Sequence, residues 1–346
     1  MDFDALNQRI APPDEAARTR CEARWANLAK PVGSLGLLEQ LVMKIAALTG
    51  DAESISVSPR AVLVCCADNG VTAESVASTP PEITATMSRF IANGRSSVCL
   101  MAKAANADVF AYDFGVFTKV GEKNLLDRRV MPGTNNMAHQ PAMTREEAIT
   151  AIERGIALVQ EKKEGGYRLL ATGEMGIGNT STTSAVTAAL LGLSPAETTG
   201  RGVGLTDEGY QHKIETVERA LKVNHPDPTD ALDVLSKVGG LDIAAMAGVF
   251  IGGALYRVPI VIDGVISACA ALVASRLCPN AVLAMLPSHV SAEPAAGKLL
   301  SALGLTAILH ADMRLGEGTG AALLFPILDE AVAVYDHLMT FADIGM

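Results

Sequence analysis

The chain has 346 residues, 49% of them hydrophobic, and a formal net charge of −10. With a mean hydropathy of +0.27, it has enough apolar surface for a large buried core, which indicates a folded globular protein. The acidic balance offers no basic surface to a phosphate backbone, so we do not expect nucleic acid as a partner.

The most apolar stretch of the chain, Ile243 to Ala274, is interrupted by Arg257 and Asp263. Its uninterrupted pieces are too short to cross about 30 Å of hydrocarbon, so we expect buried helices and no membrane association. The first residues lack a basic region followed by an apolar core, which predicts no signal peptide. Six cysteines without Cys-x-x-Cys spacing are typical of reduced thiols in a cytoplasmic protein, and neither a metal site nor a cofactor is predicted.

The N-terminal part of the chain is predicted to be helical. Pro12-Pro13-Asp14-Glu15 is a start signal for a helix with its body at Ala16 to Leu28. A loop rich in proline and glycine, Lys30 to Gly36, then precedes an amphipathic helix from about Leu37 to Leu48.

Five short apolar runs follow, and each leads into a polar group or a glycine turn. They are Ala61–Ala67, Ala107–Tyr112, Tyr167–Ala171, Val258–Ile262 and Ala281–Leu286. Stretches with helical periodicity lie between them, at Thr144–Lys162, Thr182–Leu191 and Glu208–Val223. This alternation predicts an α/β fold with a parallel sheet covered on both faces, whose ligands lie beyond the carboxyl ends of the strands.

The last helix, predicted at about Ile327–Thr340, is a suitable packing partner for the N-terminal helices. We therefore predict a small helical subdomain made of residues 1–60 and 327–346, and a large α/β catalytic domain made of residues 61–326.

Glu317 lies between glycines in the run Arg314-Leu315-Gly316-Glu317-Gly318 and is followed by an apolar stretch. The glycines allow a sharp turn, and because they have no side chains they leave the carboxylate accessible to a ligand. A surface glutamate is instead usually found among other charged residues on a helix. This setting favours a catalytic acid or base.

A second polar segment runs from Ala171 to Ser184, with glycines at 176 and 178 and hydroxyl or amide side chains at 179–182. A glycine-rich loop that opens a helix can bind an anion through free N–H groups and the helix dipole. The segment has neither a Walker A lysine nor a third glycine, so a nucleotide monophosphate is favoured over a dinucleotide. The same pattern also suits a βα turn with Ser and Thr caps that binds nothing.

Glycines alternate through Gly200-Arg201-Gly202-Val203-Gly204, and Lys213 follows on a predicted helix. Lys213 is a candidate for the local positive charge that a phosphate needs in an acidic protein, although a lone helix lysine is more often solvated.

Six motifs in order, from about residue 30 to residue 326, resemble the nicotinate-nucleotide:dimethylbenzimidazole phosphoribosyltransferase family, which acts in the assembly of the lower ligand of cobamides such as vitamin B12. They are Lys30–Gly36, Ala67–Val71, Gly173–Thr180, Val234–Gly240, Ser288–Glu293 and Arg314–Ala322. The resemblance implies a doubly wound, Rossmann-like sheet with a small helical domain, assembled as a homodimer.

The resemblance also implies a reaction: transfer of the 5-phosphoribosyl group from nicotinate mononucleotide to an aromatic base, which gives nicotinate and an α-riboside phosphate. The family's general base falls on Glu317, and its ribose-side carboxylate falls on Glu174. Its phosphate and ribose contacts fall on Gly176, Ile177, Gly178, Asn179, Thr180, Ser181, Gly202, Lys213 and Ser291. The acceptor-base pocket is assigned to Thr79, Thr86, Met87, Met175 and Leu315.

One base suffices for this chemistry. The ring nitrogen of nicotinate mononucleotide is already cationic, so nicotinate leaves neutral at that nitrogen and needs no acid, whereas ordinary glycosidases use two carboxylates. The acceptor base attacks through a protonated heteroatom, and Glu317 would remove that proton.

The chain departs from the family pattern near the acceptor. Asn69 stands where many members carry a His, and Met87 or its neighbour Thr86 stands where many carry a Gln. The acceptor therefore stays open among dimethylbenzimidazole, other benzimidazoles, adenine and phenols, and a heteromer with a paralogue is an alternative to the homodimer. A non-catalytic paralogue and an unrelated dehydrogenase are the other hypotheses, and retention of Glu317, Glu174 and Lys213 counts against the first.

Overall fold

The computed structural model describes residues 1–202 and 204–346, and its centre is a six-stranded sheet. The strands are β1 (Arg60–Ala67), β2 (Asp108–Gly115), β3 (Leu125–Asp127), β4 (Leu169–Met175), β5 (Ile260–Ile262) and β6 (Met285–Pro287). Every neighbouring pair is parallel. The parallel sheet predicted from the alternating apolar runs is confirmed.

The strand order is β3-β2-β1-β4-β5-β6. After β1 the chain adds β2 and β3 on one side, and it then returns to place β4, β5 and β6 on the other side. The loops after β1 and β4 therefore diverge, which leaves a crevice at the carboxyl edge where doubly wound sheets bind ligands.

Helices cover both faces of the sheet. They are α1 (Phe3–Arg9), α2 (Glu15–Asn27), α3 (Leu37–Thr49), α4 (Ile83–Ala92), α5 (Ser97–Ala104), α6 (Arg145–Glu164), α7 (Asn179–Leu191), α8 (Pro195–Thr198), α9 (Asp207–Asn224), α10 (Ala231–Val238), α11 (Leu241–Tyr256), α12 (Val265–Leu277), α13 (Ala296–Ala302) and α14 (Thr319–His337). Within the described ranges, no helix combines the length and the apolar character needed to cross a membrane.

Strand β1 shows how the core is divided between the two faces. Leu63 and Cys65 pack into one apolar cluster with α6, α7, α11 and α12, while Val62, Val64 and Cys66 pack into another with α3, α5 and α14. Because both faces are buried, the strand is a continuous apolar run and shows no alternation with polar residues.

Two elements differ from the sequence prediction. The run predicted as a strand at Ala281–Leu286 is mostly a 3₁₀ helix, Pro279–Ala284, and only Met285–Pro287 is strand. The reason is that β6 can pair only with β5, which is itself three residues long. The short edge strand β3 was not predicted.

The last helix begins at Thr319, eight residues earlier than predicted, and the predicted domain boundary at 326/327 falls inside it. Its C-terminal half packs against the N-terminal helices, where the rings of Trp25 and Tyr335 lie 5.0 Å apart. The Tyr335 hydroxyl donates to the Ala52 carbonyl at 2.6 Å. The division into two domains stays a prediction.

Candidate active site

A cavity of about 290 Å³ opens at the carboxyl edge of the sheet, beside the crevice between β1 and β4. Its walls come from the segments that follow β1, β4, β5 and β6 and from residues 313–319. Because polar groups from separate parts of the chain converge on one concave site, this cavity is the candidate active site.

Glu317 lines this cavity on a turn that depends on its glycine neighbours. Its own φ is +63°, and Gly316 and Gly318 have φ of +85° and +100°. A Cβ on Gly316 would lie 2.3 Å from Glu174 Oε1, so any larger residue at this position would displace the Glu174 carboxyl group from its present place. The amide of Glu317 donates to Glu174 Oε1 at 3.4 Å.

The Glu317 carboxylate is 6% exposed and lies at the start of α5. Its Oε2 accepts a hydrogen bond from the Val98 amide at 3.2 Å. Burial raises the pKa of Glu317 above its ordinary value, and the hydrogen bonds from Val98 and Ser96 oppose that rise. Burial therefore moves the pKa of this carboxylate toward the range that suits a general base near neutral pH.

Asp263, at the end of β5, holds the Glu317 turn in place. Its two carboxylate oxygens accept from the amides of Gly318 at 3.1 Å and Ala321 at 3.0 Å. Asp263 thus caps α14 at its positive end and ties the turn to the sheet.

Glu174 belongs to a buried network with Asn179 and Asp242. The Asn179 amide nitrogen donates to Glu174 Oε2 and, at 3.1 Å, to Asp242 Oδ2. Burial, together with the negative charge of Asp242, raises the pKa of Glu174 to about 8. Burial likewise raises the pKa of Asp242 to about 6. Glu174 is therefore mostly protonated near neutral pH.

Lys213 on α9 is 1% exposed, unlike a solvated helix lysine. Its ammonium donates to Thr180 Oγ1 at 2.9 Å and to the Gly200 carbonyl at 3.1 Å. Burial lowers the pKa of Lys213 to about 8, and the nearby carboxylate of Glu293 opposes this. The structure thus joins the two glycine-rich segments through one buried cation.

The glycine-rich loop before α7 is only partly arranged as predicted. Gly178, at φ +90°, is the N-cap of α7, and Gly176, Gly178, Thr180 and Gly202 line the cavity.

Three other predicted phosphate contacts are differently engaged. The Ile177 amide donates to Thr84 Oγ1 at 3.0 Å. The Asn179 side chain is directed to Glu174 and Asp242. Ser181 is fully buried and does not line the cavity. Ile177 and Asn179 nevertheless line the cavity, and the phosphate and ribose contacts assigned to these residues and to Ser181 stay predictions.

The predicted acceptor-base residues Thr79, Met87, Met175 and Leu315 line the same cavity. Thr86 does not line it, because its hydroxyl turns back along α4 to the Glu82 carbonyl at 3.4 Å. Met87, Met175 and Leu315 give this end of the cavity a mainly apolar wall, and its assignment to the acceptor base stays a prediction.

Two residues of the segment after β6 complete the lining. Ser291 donates its hydroxyl to the Met313 carbonyl at 3.2 Å, which ties this segment to the one that leads to Glu317. His289 Nδ1 lies 3.0 Å from the Ser288 hydroxyl, and burial lowers the pKa of the imidazole. His289 is therefore neutral near pH 7.

A family model described as phosphoribosyltransferase matches residues 10–346. The chain belongs to this family. The nicotinate-nucleotide–dimethylbenzimidazole phosphoribosyltransferase of Ruminiclostridium cellulolyticum is 45% identical over 343 residues, covering 99% of this chain and 97% of the relative. The enzyme of the same name from Acetivibrio thermocellus is 47% identical over 322 residues, which cover 93% of this chain and 92% of the relative. The crystal structure of CobT from Thermus thermophilus matches with a TM-score of 0.90 at 39% identity, covering 96% of this chain and 99% of that one.

The phosphoribosyltransferase site contains functional groups that the sequence reading did not assign. In the sequence, Asp263 stands out only as an interruption of the apolar stretch from Ile243 to Ala274, and Val98 and Asp242 belong to none of the predicted sites. Asp242 had a detectable signal, because it is an acid at the start of the almost entirely apolar helix α11. No local signal marks Val98, since only the fold brings its amide to Glu317.

Buried carboxylates give this phosphoribosyltransferase site its electrostatic character. Glu174, Asp263 and Glu317 line the cavity together. The carboxylates of Asp263 and Glu317 favour a cationic or oxocarbenium-like species beside them, while Lys213 offers a separate position for an anion. Within residues 1–202 and 204–346, no group of three His, Cys, Asp or Glu side chains is arranged to hold a metal ion.

Proposed function

We propose that the protein transfers the 5-phosphoribosyl group of nicotinate mononucleotide to an aromatic lower-ligand base, with release of nicotinate and formation of an α-riboside 5′-phosphate. One observation supports this most directly: a single cavity is lined both by the buried base Glu317 and by Lys213 with the glycine turn before α7. The reaction needs both a base and a phosphate site.

Glu317 is the proposed general base. The leaving nicotinate takes the electrons of the glycosidic bond onto its cationic ring nitrogen and departs neutral at that atom. The incoming nitrogen or oxygen of the acceptor bonds to C1 of the ribose from the opposite face while Glu317 accepts its proton. Attack from that face turns a β substrate into an α product.

Glu174 and Lys213 are proposed to position the ribose and the phosphate. Glu174 is close enough to Glu317 to share a hydrogen bond through the backbone, so a ribose hydroxyl bound there lies near the reacting carbon. Lys213, with Thr180 and the backbone near Gly178 and Gly202, is proposed to hold the phosphate.

The acceptor that we propose is dimethylbenzimidazole or a related benzimidazole. Met87, Met175 and Leu315 give the acceptor end an apolar, adaptable wall, which suits a methylated bicyclic ring. Purines and phenols remain competitors that the experiment must include.

We further propose that the protein acts in the cytoplasm as a homodimer, in the assembly of the cobamide nucleotide loop. The six cysteines are all buried and unpaired, which suits a reducing compartment. A heteromer with a paralogue is the alternative, and the mass of the purified protein in solution separates the two.

The test is to incubate the purified chain with nicotinate mononucleotide and each acceptor, and to follow nicotinate release. We expect release that depends on the acceptor and is fastest with a benzimidazole. If no acceptor supports release by the lone chain, the proposed reaction is wrong for this chain alone.

Replacement of Glu317 by Gln tests the base. We expect kcat to fall about 10²–10⁴-fold, since general base catalysis typically contributes that much. The KM for nicotinate mononucleotide should change little. The matched control is Glu330→Gln on the exposed side of α14, which should keep normal turnover. Normal turnover in Glu317→Gln would remove Glu317 from its role.

A further inference from the structure

A second cavity, of about 350 Å³, lies between α3, the segment 11–13 and the chain around β6 and residues 304–306. It shares no lining residue with the active-site cavity. Its walls are mainly apolar, with Pro12, Pro13, Leu41, Leu48, Leu283 and Leu305 among them. Its volume falls within the range of small-molecule sites, which is roughly 300–1,000 Å³.

Lys44 lines this cavity from α3, and within the described ranges it has no counterion. Among the described residues, no carboxylate lies within ion-pair distance of its ammonium, and no hydrogen bond satisfies it. Burial lowers the pKa of Lys44 to about 8, and no neighbouring charge contributes to that shift. Arg18, at the exposed side of the same cavity, adds a second positive charge.

An ammonium that is partly removed from water without a partner is costly, and an anion bound beside it would remove much of that cost. The contrast with Lys30 on the neighbouring loop is instructive, because that buried lysine pairs with Glu39 at 2.7 Å. The fold therefore leaves one lysine of this region paired and the other directed to an apolar space.

We propose that this second cavity binds a small aromatic monocarboxylate. The carboxylate pairs with Lys44, and the ring packs against the proline and leucine side chains of the walls. A ligand of this class matches both properties of the site, because it carries a single charge at one end of a flat apolar body. The inference does not depend on the proposed reaction.

Calorimetric titration with benzoate tests the proposal, with benzamide as the uncharged analogue. We expect one benzoate per chain, with benzamide roughly tenfold weaker or more because it forms no charge-assisted hydrogen bond. The affinity of Lys44→Met for benzoate should be lower by a similar factor. Lys222 is an exposed lysine on α9, and Lys222→Met should bind benzoate as tightly as the unchanged protein does. Equal binding of benzoate by Lys44→Met and the unchanged protein would overturn the proposal.

Proton uptake gives a second readout that needs no variant. A bound carboxylate raises the pKa of Lys44, so binding above pH 8 must take up protons, and the measured heat must depend on the ionisation enthalpy of the buffer. No buffer dependence, or no saturable binding of benzoate, contradicts the proposal. If Lys44→Met does not fold, the buffer dependence of the heat and the benzoate affinity of Lys44→Gln test the proposal instead.

A further arm separates this cavity from the active site. Lys213→Met should leave benzoate binding intact, and Lys44→Met should leave nicotinate release unchanged when no benzoate is present. Loss of benzoate binding in Lys213→Met would place the ligand in the active site and refute the second site.

Discussion

Lys213 illustrates how burial prepares a residue for an anionic ligand. Its two hydrogen bonds, to Thr180 and to the Gly200 carbonyl, are to neutral groups, and the nearby Glu293 only partly offsets the effect of burial. A phosphate bound there would supply a full negative charge and raise the pKa of the ammonium. Binding of the phosphate and protonation of Lys213 are therefore linked.

From this linkage we predict a pH-dependent KM for nicotinate mononucleotide. In the unliganded site the pKa of Lys213 is about 8, so the charged form is lost as the pH rises past that value. The KM should rise above pH 8, and Lys213→Met should raise it roughly tenfold or more at pH 7, since a charge-assisted hydrogen bond contributes about 1.5–3 kcal/mol. Steady-state kinetics from pH 6.5 to 9.5 check this. Lys222→Met is the control, and a flat KM across that range would contradict the prediction.

The raised pKa of Glu174 predicts that the stability of the fold depends on pH. Its pKa is about 8 in the folded protein and about 4.5 in the unfolded chain, so between these values the folded state holds a proton that the unfolded state has lost. The free energy of unfolding must therefore fall as the pH rises from 4.5 to 8, with a slope of up to about 1.4 kcal/mol per pH unit from this group.

Urea unfolding at pH 6 and at pH 8 measures this change. Between the two pH values, the free energy of unfolding should fall less in Glu174→Gln than in the unchanged protein. The substitution keeps the shape of the side chain and removes the titration. An equal loss of stability in Glu174→Gln would show that other groups cause the pH dependence.

At single residues, the sequence predicted which chemically distinctive side chains line the cavity better than it predicted the directions of their helical neighbours. Glu317 and Lys213 are recognisable from their motifs, and both line the cavity. Ser181 is two residues beyond Asn179 on α7, about 200° around the helix, and of the two only Asn179 lines the cavity. Thr86 is about 100° from Met87 on α4, and only Met87 lines the cavity. Such directions depend on the exact residue at which each helix begins.

At the level of elements, the contact between α6 and α11 depends on glycine. A Cβ on Gly248 would lie 2.1 Å from the Ile152 carbonyl oxygen, and a Cβ on Gly155 would lie 2.1 Å from that of Ala245. The two helix backbones therefore touch directly, and this contact supports one face of the sheet.

We predict that Gly248→Ala destabilises the protein by about 1–3 kcal/mol or more, because the added methyl group must separate two packed helices. The urea midpoint measures the change. The control is Gly297→Ala in α13, where a Cβ meets nothing within 4 Å. That variant should be neutral or slightly more stable, since alanine favours a helix over glycine. Equal effects of the two substitutions would contradict the close-contact explanation.

Helices and strands with a clear pattern of apolar residues were predictable from the sequence. Elements whose structure depends on a neighbouring strand for hydrogen bonding were not. Strands β1, β2, β4 and β5 lie on predicted apolar runs because a strand buried on both faces is continuously apolar. The segment 281–284 is equally apolar but has no strand available to pair with over its length. Its alanine-rich sequence is compatible with a 3₁₀ turn. Whether these residues form a strand therefore depends on a neighbouring strand to pair with and not on their composition.

For the whole molecule, α14 connects the Glu317 turn to both chain ends. It starts two residues after Glu317, and its far end contacts the N-terminal helices, where Arg24 donates to the Tyr335 carbonyl at 2.9 Å. Leu28 and Thr340 form an antiparallel bridge beside this contact. The helix that the Glu317 turn begins is therefore also the centre of the terminal helical layer.

This continuity predicts that the terminal helices and the sheet unfold together. Trp25 is the single tryptophan of the chain and packs against Tyr335, so its fluorescence reports on the terminal layer, whereas far-ultraviolet circular dichroism reports on all helices. The two urea transitions should coincide. Nicotinate mononucleotide, whose proposed site lies away from Trp25, should shift both transitions equally. At a hundredfold excess over Kd it should raise the free energy of unfolding by about 2.7 kcal/mol. An earlier Trp25 transition that the nucleotide does not shift would show instead that the terminal layer unfolds independently, as a separate subdomain could.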